Sequence, residues 1–154
     1  MVCASHLKEI NLGIVYNKDG VFNFTTNRFS ENDFSTAVTS ITILTKLPEL
    51  HSLYLADCKI GVKESEIIST LSQLNTLDLG GNNIGEKGAE SISALAMLTN
   101  LDVSWNNIGD KGAKSISSLL QLTYLKVHNN NISKKGAVSI SALSQLTTLG
   151  CDMK

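Results

Sequence analysis

Chemistry in this chain would have to come from three histidines, three cysteines and fourteen acidic residues. His6, His51 and His128 are far apart, and so are Cys3, Cys58 and Cys151. A thiol nucleophile needs an imidazole beside it, and no spacing here brings one to Cys58 or Cys151. Zinc would need close-set His and Cys pairs, which the sequence lacks. Asp78 and Asp102 form a carboxylate pair, but two carboxylates without further oxygen ligands hold a divalent ion poorly. The run Gly80-Gly81-Asn82 is not followed by Gly-Lys-Ser/Thr, so it is no phosphate loop. The expectation is no enzyme, no metal and no cofactor. Recognition is what remains, and the lone Trp105 is the residue best suited to it.

The elements that place these residues are set by an internal repeat. Segments opening at Leu50, Leu74, Leu98 and Leu122 align without gaps, a period of 24. Each reads L-x-x-L-x-L/V and ends on isoleucine ten residues after its start: Ile60, Ile84, Ile108 and Ile132. A fifth begins at Leu146 and reaches Leu149 and Cys151. Leu77 and Leu79 are two apart, so an extended chain points both to one face, where they pack on their counterparts in adjacent repeats. Cys58 and Cys151 fall in apolar slots of the same kind.

The chain must then turn back, and Asn82, Asn106 and Asn130 stand at that turn. An inward amide there can serve backbone groups that the turn leaves unpaired, which predicts a stacked ladder. Cys58 takes the same position in the first regular repeat, with weaker hydrogen-bonding capacity. The return segments carry apolar residues at helical spacing: Ala89, Ile92 and Leu95, then Ala113, Ile116 and Leu119, then Ala137, Ile140 and Leu143. Gly88, Gly112 and Gly136 put no side chain where neighbouring helices approach. The first copy has Glu64-Ser65 instead of Gly-Ala. The expected architecture is an α/β solenoid arc, with a parallel concave sheet and helices on the convex side.

Residues 1–49 read as an irregular N-terminal cap plus one longer repeat. Phe22 aligns with Leu53, and Asn27 falls at the ladder position. A hairpin of Ile14–Tyr16 with Val21–Phe24 across Lys18-Asp19-Gly20 is the alternative reading. Residues 50–154 read as regular repeats ending in an uncapped strand. Solenoids usually end in a polar cap. Either a terminal helix is lost, or the protein continues, or the edge pairs with another molecule.

Composition narrows the partner. Thirteen basic and fourteen acidic residues leave a net charge of −1, with a single arginine at Arg28, so no field attracts nucleic acid. No apolar run approaches the ~18 residues a spanning helix needs, so membrane insertion is not expected. Met1 to Ile10 show no basic start followed by an apolar run, the mark of a secretory signal. Three scattered cysteines suit a reducing compartment, so the expected location is cytoplasmic. The sequons at Asn23 and Asn131 are the kind that chance supplies in an Asn-, Ser- and Thr-rich chain.

Outward strand positions form columns across the concave face, about 5 Å apart from repeat to repeat. One column is Tyr54, Asp78, Asp102 and Lys126. Another begins at Ser52 and ends at Tyr124, and a third runs Ala56, Gly80, Ser104 and His128. In the last, Asp57, Gly81 and Asn129 stand where the third regular repeat has Trp105. The scaffold therefore does not require an aromatic residue there. Trp105 flanked by Tyr124, His128 and the two aspartates has the make-up of an interface anchor with a polar rim. The alternative is that the indole only covers the adjacent turn. The aspartate pair reads either as a local charge ladder with Lys126 or as a receptor for a basic patch. Tyr54, Asp78, Asp102, Trp105, Tyr124, Lys126 and His128 are the expected partner-binding residues.

The pattern L-x-x-L-x-L-x-x-N-x-I over residues 50–151 resembles the leucine-rich repeat family. The helix-start motif N-N-I-G-x-K-G-A-x-S-I-S is similar to its ribonuclease-inhibitor-like branch. Within that branch it looks like the Gly-Ala-Leu-Ala type of bacterial effectors and some protist proteins, although Gly88-Ala89-Glu90-Ser91 departs from that motif. The resemblance implies non-enzymatic protein recognition by the concave face, and a host-cell cytoplasm if the chain is a delivered effector. Such effectors often carry an F-box, and residues 1–49 contain no convincing one. The alternative is a structural protein that self-associates through its C-terminal edge.

Overall fold

The computed structural model describes residues 50–151, together with the backbone of two short strands at 15–16 and 21–23. Strands β1 (Val15–Tyr16), β2 (Val21–Asn23), β3 (Ser52–Tyr54), β4 (Thr76–Asp78), β5 (Asn100–Asp102), β6 (Tyr124–Lys126) and β7 (Thr148–Gly150) lie side by side in chain order. Helices α1 (Val62–Ile68), α2 (Gly85–Ile92), α3 (Gly109–Ile116) and α4 (Lys134–Ile140) return the chain between successive rungs from β3 to β7. Strands β2 to β7 are parallel in one unbroken register, with Leu53, Leu77, Leu101, Leu125 and Leu149 opposite one another. This is the expected α/β solenoid with its 24-residue rung.

At the N-terminal side, β1 pairs antiparallel with β2, and β2 pairs parallel with β3 with Phe22 opposite Leu53. The hairpin and the extra strand are therefore compatible, because β2 takes part in both. The expectations for Asn27, the rest of the longer repeat, His6 and Cys3 lie outside the described residues.

The core is the repeat's leucine and isoleucine set. Leu74, Leu77, Leu79, Ile84, Ile92, Leu95 and Leu98 are all buried, and adjacent rungs repeat the arrangement. Burial of each such side chain is worth about 2 kcal/mol, gained only by stacking on a neighbour. The helix glycines mark the closest approach. A Cβ on Gly112 would lie 2.6 Å from the Ile108 Cβ and 3.0 Å from the Ala89 Cβ of the previous helix. In α1, Glu64 and Ser65 tie down Gly61 instead: the carboxylate accepts from its N–H at 2.8 Å and the hydroxyl donates to its carbonyl at 2.7 Å.

The amide ladder forms. Asn82 accepts from the Cys58 and Ile60 N–H groups, at 3.0 and 2.8 Å, and donates to the Leu55 and Leu79 carbonyls at 2.8 Å. Asn106 and Asn130 repeat this one and two rungs on. The Cys58 thiol donates to the Ala56 carbonyl at 3.1 Å, and burial first, then Asp57 and Asp78, push its pKa up to about 12.

Four inward or outward assignments need correction. Ala137, Leu149 and Cys151 match the inward pattern and are exposed. Each needs a following rung to cover it, and no described residue supplies one. Ser104 was expected on the open face and is buried, its hydroxyl 3.0 Å from His128 Nδ1.

Candidate functional site

The concave face divides along its length. On the side of β4 and β5, the column residues Asp78 and Asp102 stand opposite each other. Each carboxylate is oriented by its own turn: Asp78 Oδ1 accepts from the Gly80 N–H and Asp102 Oδ1 from the Ser104 N–H, both at 2.9 Å. The two oxygens converge, since a Cβ built on Gly80 would lie 3.3 Å from the first and 3.6 Å from the second. Burial raises the Asp78 carboxyl above its usual range, and repulsion from Asp102 and Asp57 adds to this, while the Gly80 N–H and Lys126 oppose it. A shallow cleft opens over this point, with Asp57, Asp78 and Asp102 along it, Gly80 and Gly81 as its floor and Trp105 as its wall.

Sheet pairing continues past the strands into the turns and fixes this geometry. Asp57 N–H donates to the Gly80 carbonyl at 2.8 Å, Gly81 to Ser104 at 2.9 Å and Trp105 to His128 at 3.0 Å. Positions 57, 81, 105 and 129 are all left-handed, with φ of 54°, 68°, 58° and 54°. Aspartate, glycine and asparagine tolerate that region, whereas a bulky side chain there is an outlier. Trp105 is that outlier, and it leaves 61 % of its surface exposed.

On the β6 side the chemistry is cationic and aromatic. Lys126 Nζ lies 3.3 Å from Asp102 Oδ2 and 5.6 Å from the centre of the Tyr124 ring. Hydrogen bonding to Tyr124 first, then the Asp102 charge, holds the ammonium above its ordinary range. His128 meets the Trp105 ring edge-on, with centroids 6.4 Å apart.

The structure thus brings together Asp78, Asp102 and Trp105 in the cleft, with Lys126 and His128 at its border and Tyr124 beneath Lys126. Tyr54 is half-buried on β3, opposite Asp78 in the sheet register. Sequence reasoning missed Asp57, Gly80 and Gly81 as parts of the same feature. The signal was available: one rung has Gly-Gly where the next has Ser104-Trp105 and the one after has His128-Asn129. Among the described residues no group of three or more His, Cys, Asp or Glu is placed to hold a metal ion.

Short parallel strands, one helix per rung and a stacked amide ladder define a repeat solenoid with an open concave sheet. The chain belongs to the leucine-rich repeat proteins: two family models described as leucine rich repeat match residues 48–108 and 121–141, together more than half of it. No curated protein matches the chain in sequence. Two similar solved structures are internalins of Listeria monocytogenes. Internalin C2 is 24% identical, with 72% of this chain and 46% of that chain covered and a TM-score of 0.53. The other internalin is 20% identical, with 73% and 38% covered and a TM-score of 0.48. The chain spans less than half the length of either. Among the described residues no helix is long and apolar enough to cross a membrane.

Proposed function

We propose that the chain is a non-enzymatic module that binds a protein partner on its concave face, with Asp78, Asp102 and Trp105 at the centre of the contact. Tyr54, Tyr124, Lys126 and His128 form the rim. One observation carries this reading: Trp105 exposes its indole from a left-handed backbone position that the same fold fills elsewhere with Asp, Gly or Asn. A strained, exposed aromatic residue is a typical binding anchor. The Gly-Ala helix starts at Gly88, Gly112 and Gly136 support placing the repeats in the ribonuclease-inhibitor-like branch. They also favour a delivered bacterial effector or a protist protein as its source. Three cysteines scattered through the sequence suit a cytoplasmic site of action, in the producing cell or in a host.

The test is affinity capture with the wild type and with Trp105→Ala/Asp102→Lys, followed by titration of each captured protein in purified form. A partner whose affinity falls at least about tenfold in the variant supports the reading. Equal affinity for every recovered partner would overturn it.

Self-association through β7 is a second reading, favoured by Leu149, which is 45 % exposed on that strand. A concentration-dependent mass abolished by Thr148→Pro would support it, and a constant mass would remove it.

A further inference from the structure

Exposed positions on the convex side change from rung to rung, as Glu66, Glu90, Lys114 and Val138 do at one helical site. One exposed position does not. Lys63, Lys87, Lys111 and Lys135 recur every 24 residues in the first turns of α1 to α4, and all four are exposed. Constancy elsewhere on this surface has a local cause. Ser69, Ser93, Ser117 and Ser141 each donate to the carbonyl three residues back, at 2.6 to 2.7 Å. The lysines have no such shared role. Lys111 pairs with Glu86 of the previous rung at 3.0 Å, and among the described residues the other three ammoniums form no ion pair. Nearby acids serve the backbone instead: Glu64 accepts from the Gly61 N–H, and Asp110 from the Ser133 and Gly136 N–H groups. A cation in the first turn also opposes the helix dipole, so helix formation does not select it.

A row of like charges calls for a counter-charge, and its spacing limits the shape of what supplies one. Packed helices lie about 8–10 Å apart, so the four first turns extend over roughly 24–30 Å. An extended chain rises about 3.1–3.3 Å per residue, so every third side chain recurs at about that interval, on one face in the polyproline conformation. Glu86 and Asp110 interrupt the row, just before Lys87 and Lys111. A continuous anionic surface, such as a lipid headgroup layer or a phosphate chain, would meet those carboxylates as well as the lysines. Spaced carboxylates avoid them. We infer that Lys63, Lys87, Lys111 and Lys135 form a second interaction surface along the helix starts, which takes an extended acidic segment of a protein partner with Asp or Glu at about every third residue.

The probe is a capped peptide of four Glu-Ser-Ser units, titrated into the full chain at low salt. Its control is an isomer of the same composition with the four glutamates contiguous. The spaced peptide is expected to move the amide resonances of Lys63, Lys87, Lys111 and Lys135 and to bind at least about threefold more tightly than the isomer. The combined variant Lys63→Gln, Lys87→Gln, Lys111→Gln and Lys135→Gln, confirmed as folded by thermal unfolding, should weaken it at least about tenfold. Added salt should weaken it too. Glu86→Gln, which frees Lys111, should tighten it roughly twofold. Equal binding of the two peptides would overturn the inference, since the row would then read charge without spacing. So would binding that the glutamine variant leaves unchanged. Capture by phosphatidylserine vesicles through the same lysines, with no response to the spaced peptide, would assign the row to a membrane surface instead. Trp105→Ala should leave the peptide's affinity unchanged, so failure here and failure of the concave-face reading are separate results. A peptide that depends on Trp105 would place its site on the concave face and remove the lysine row.

Discussion

Two neighbouring columns of one turn obey different rules. Asn82, Asn106 and Asn130 repeat the same residue from rung to rung, whereas the position just before them holds Asp57, Gly81, Trp105 and Asn129 in turn. Backbone geometry does not separate the columns, because the outer position is left-handed on every one of these rungs. Access to water does. Asn106 and Asn130 are buried, and their amides pair with turn carbonyls that each asparagine shares with the one on the next rung. The outer position opens onto the concave face, so its side chain is free to vary within what a left-handed backbone tolerates. Trp105 exceeds that tolerance at a cost of about 1–2 kcal/mol. The inner column reports the scaffold, and the outer one is left open to variation.

The sharpest way to break this distinction is Asn106→Ala. The substitution strips donors from the Leu79, Val103 and Ser104 carbonyls and an acceptor from the Ile84 N–H, all in a buried setting. Unfolding free energy measured in urea should fall by roughly 3 kcal/mol or more. A loss below about 1 kcal/mol would mean that the ladder is replaceable and that its repetition has another cause.

At the outer column the expected effect is smaller and has an unusual sign. Trp105→Gly and Trp105→Ala both remove the indole and its edge contact with His128, so their difference isolates the backbone. Glycine ordinarily costs stability relative to alanine. At a φ of 58° the order should invert, with Trp105→Gly more stable by about 1 kcal/mol. Alanine matching or exceeding glycine in thermal unfolding would show that position 105 carries no left-handed penalty.

How much of this was legible in the sequence follows from the same distinction. Leu77, Leu79, Ile92 and Asn106 declare themselves because every rung asks the same thing of them, and the 24-residue period reads out that demand. The last rung reads wrongly in detail. Ala137 and Cys151 match the inward pattern yet are exposed, since a solenoid position is buried by its neighbour and not by its own rung. Ser104 was assigned outside because its column is outward, but the larger His128 beside it covers it. The cleft was half legible. Trp105 stands out as a departure from its column, while Gly81 departs by having nothing, and a missing side chain reads as a cleft only once Asp57 and Trp105 are known to line it with Gly81.

Two aspartates extend the contrast to pH, with opposite signs. Asp110, on the convex side, accepts from the Ser133 hydroxyl at 2.7 Å and from the Ser133 and Gly136 N–H groups, and so fastens its helix to the next rung. These bonds, the Ser133 hydroxyl foremost, lower its carboxyl below the usual range. Its contribution is therefore present above the unfolded-state value and is lost as pH falls through the folded one. Asp78 is raised, by burial first, so its ionised form costs stability at neutral pH, and that cost fades as pH falls through the raised value. At pH 7, Asp78→Asn should leave the fold slightly more stable, by less than about 1 kcal/mol given its partial exposure. Asp110→Asn should leave it less stable, and in acid both differences should shrink. Stability loss from Asp78→Asn at pH 7 would remove the view that the cleft stores unfavourable charge.

The smallest effect on stability belongs to Lys126→Gln, which makes it the cleanest test of the cleft's electrostatics. The Lys126 pair with Asp102 is partly solvated, and pairs of that kind contribute from nothing to about 1 kcal/mol. Unfolding should therefore move by no more than about 0.5 kcal/mol. Binding of a captured partner should respond more clearly, because the substitution removes the ammonium paired with Asp102 on the concave face. Affinity for that partner should change roughly two- to threefold in low salt, and the change should fade as added salt shortens the screening length. An affinity that does not move at any salt concentration would place Lys126 and its pair with Asp102 outside the contact.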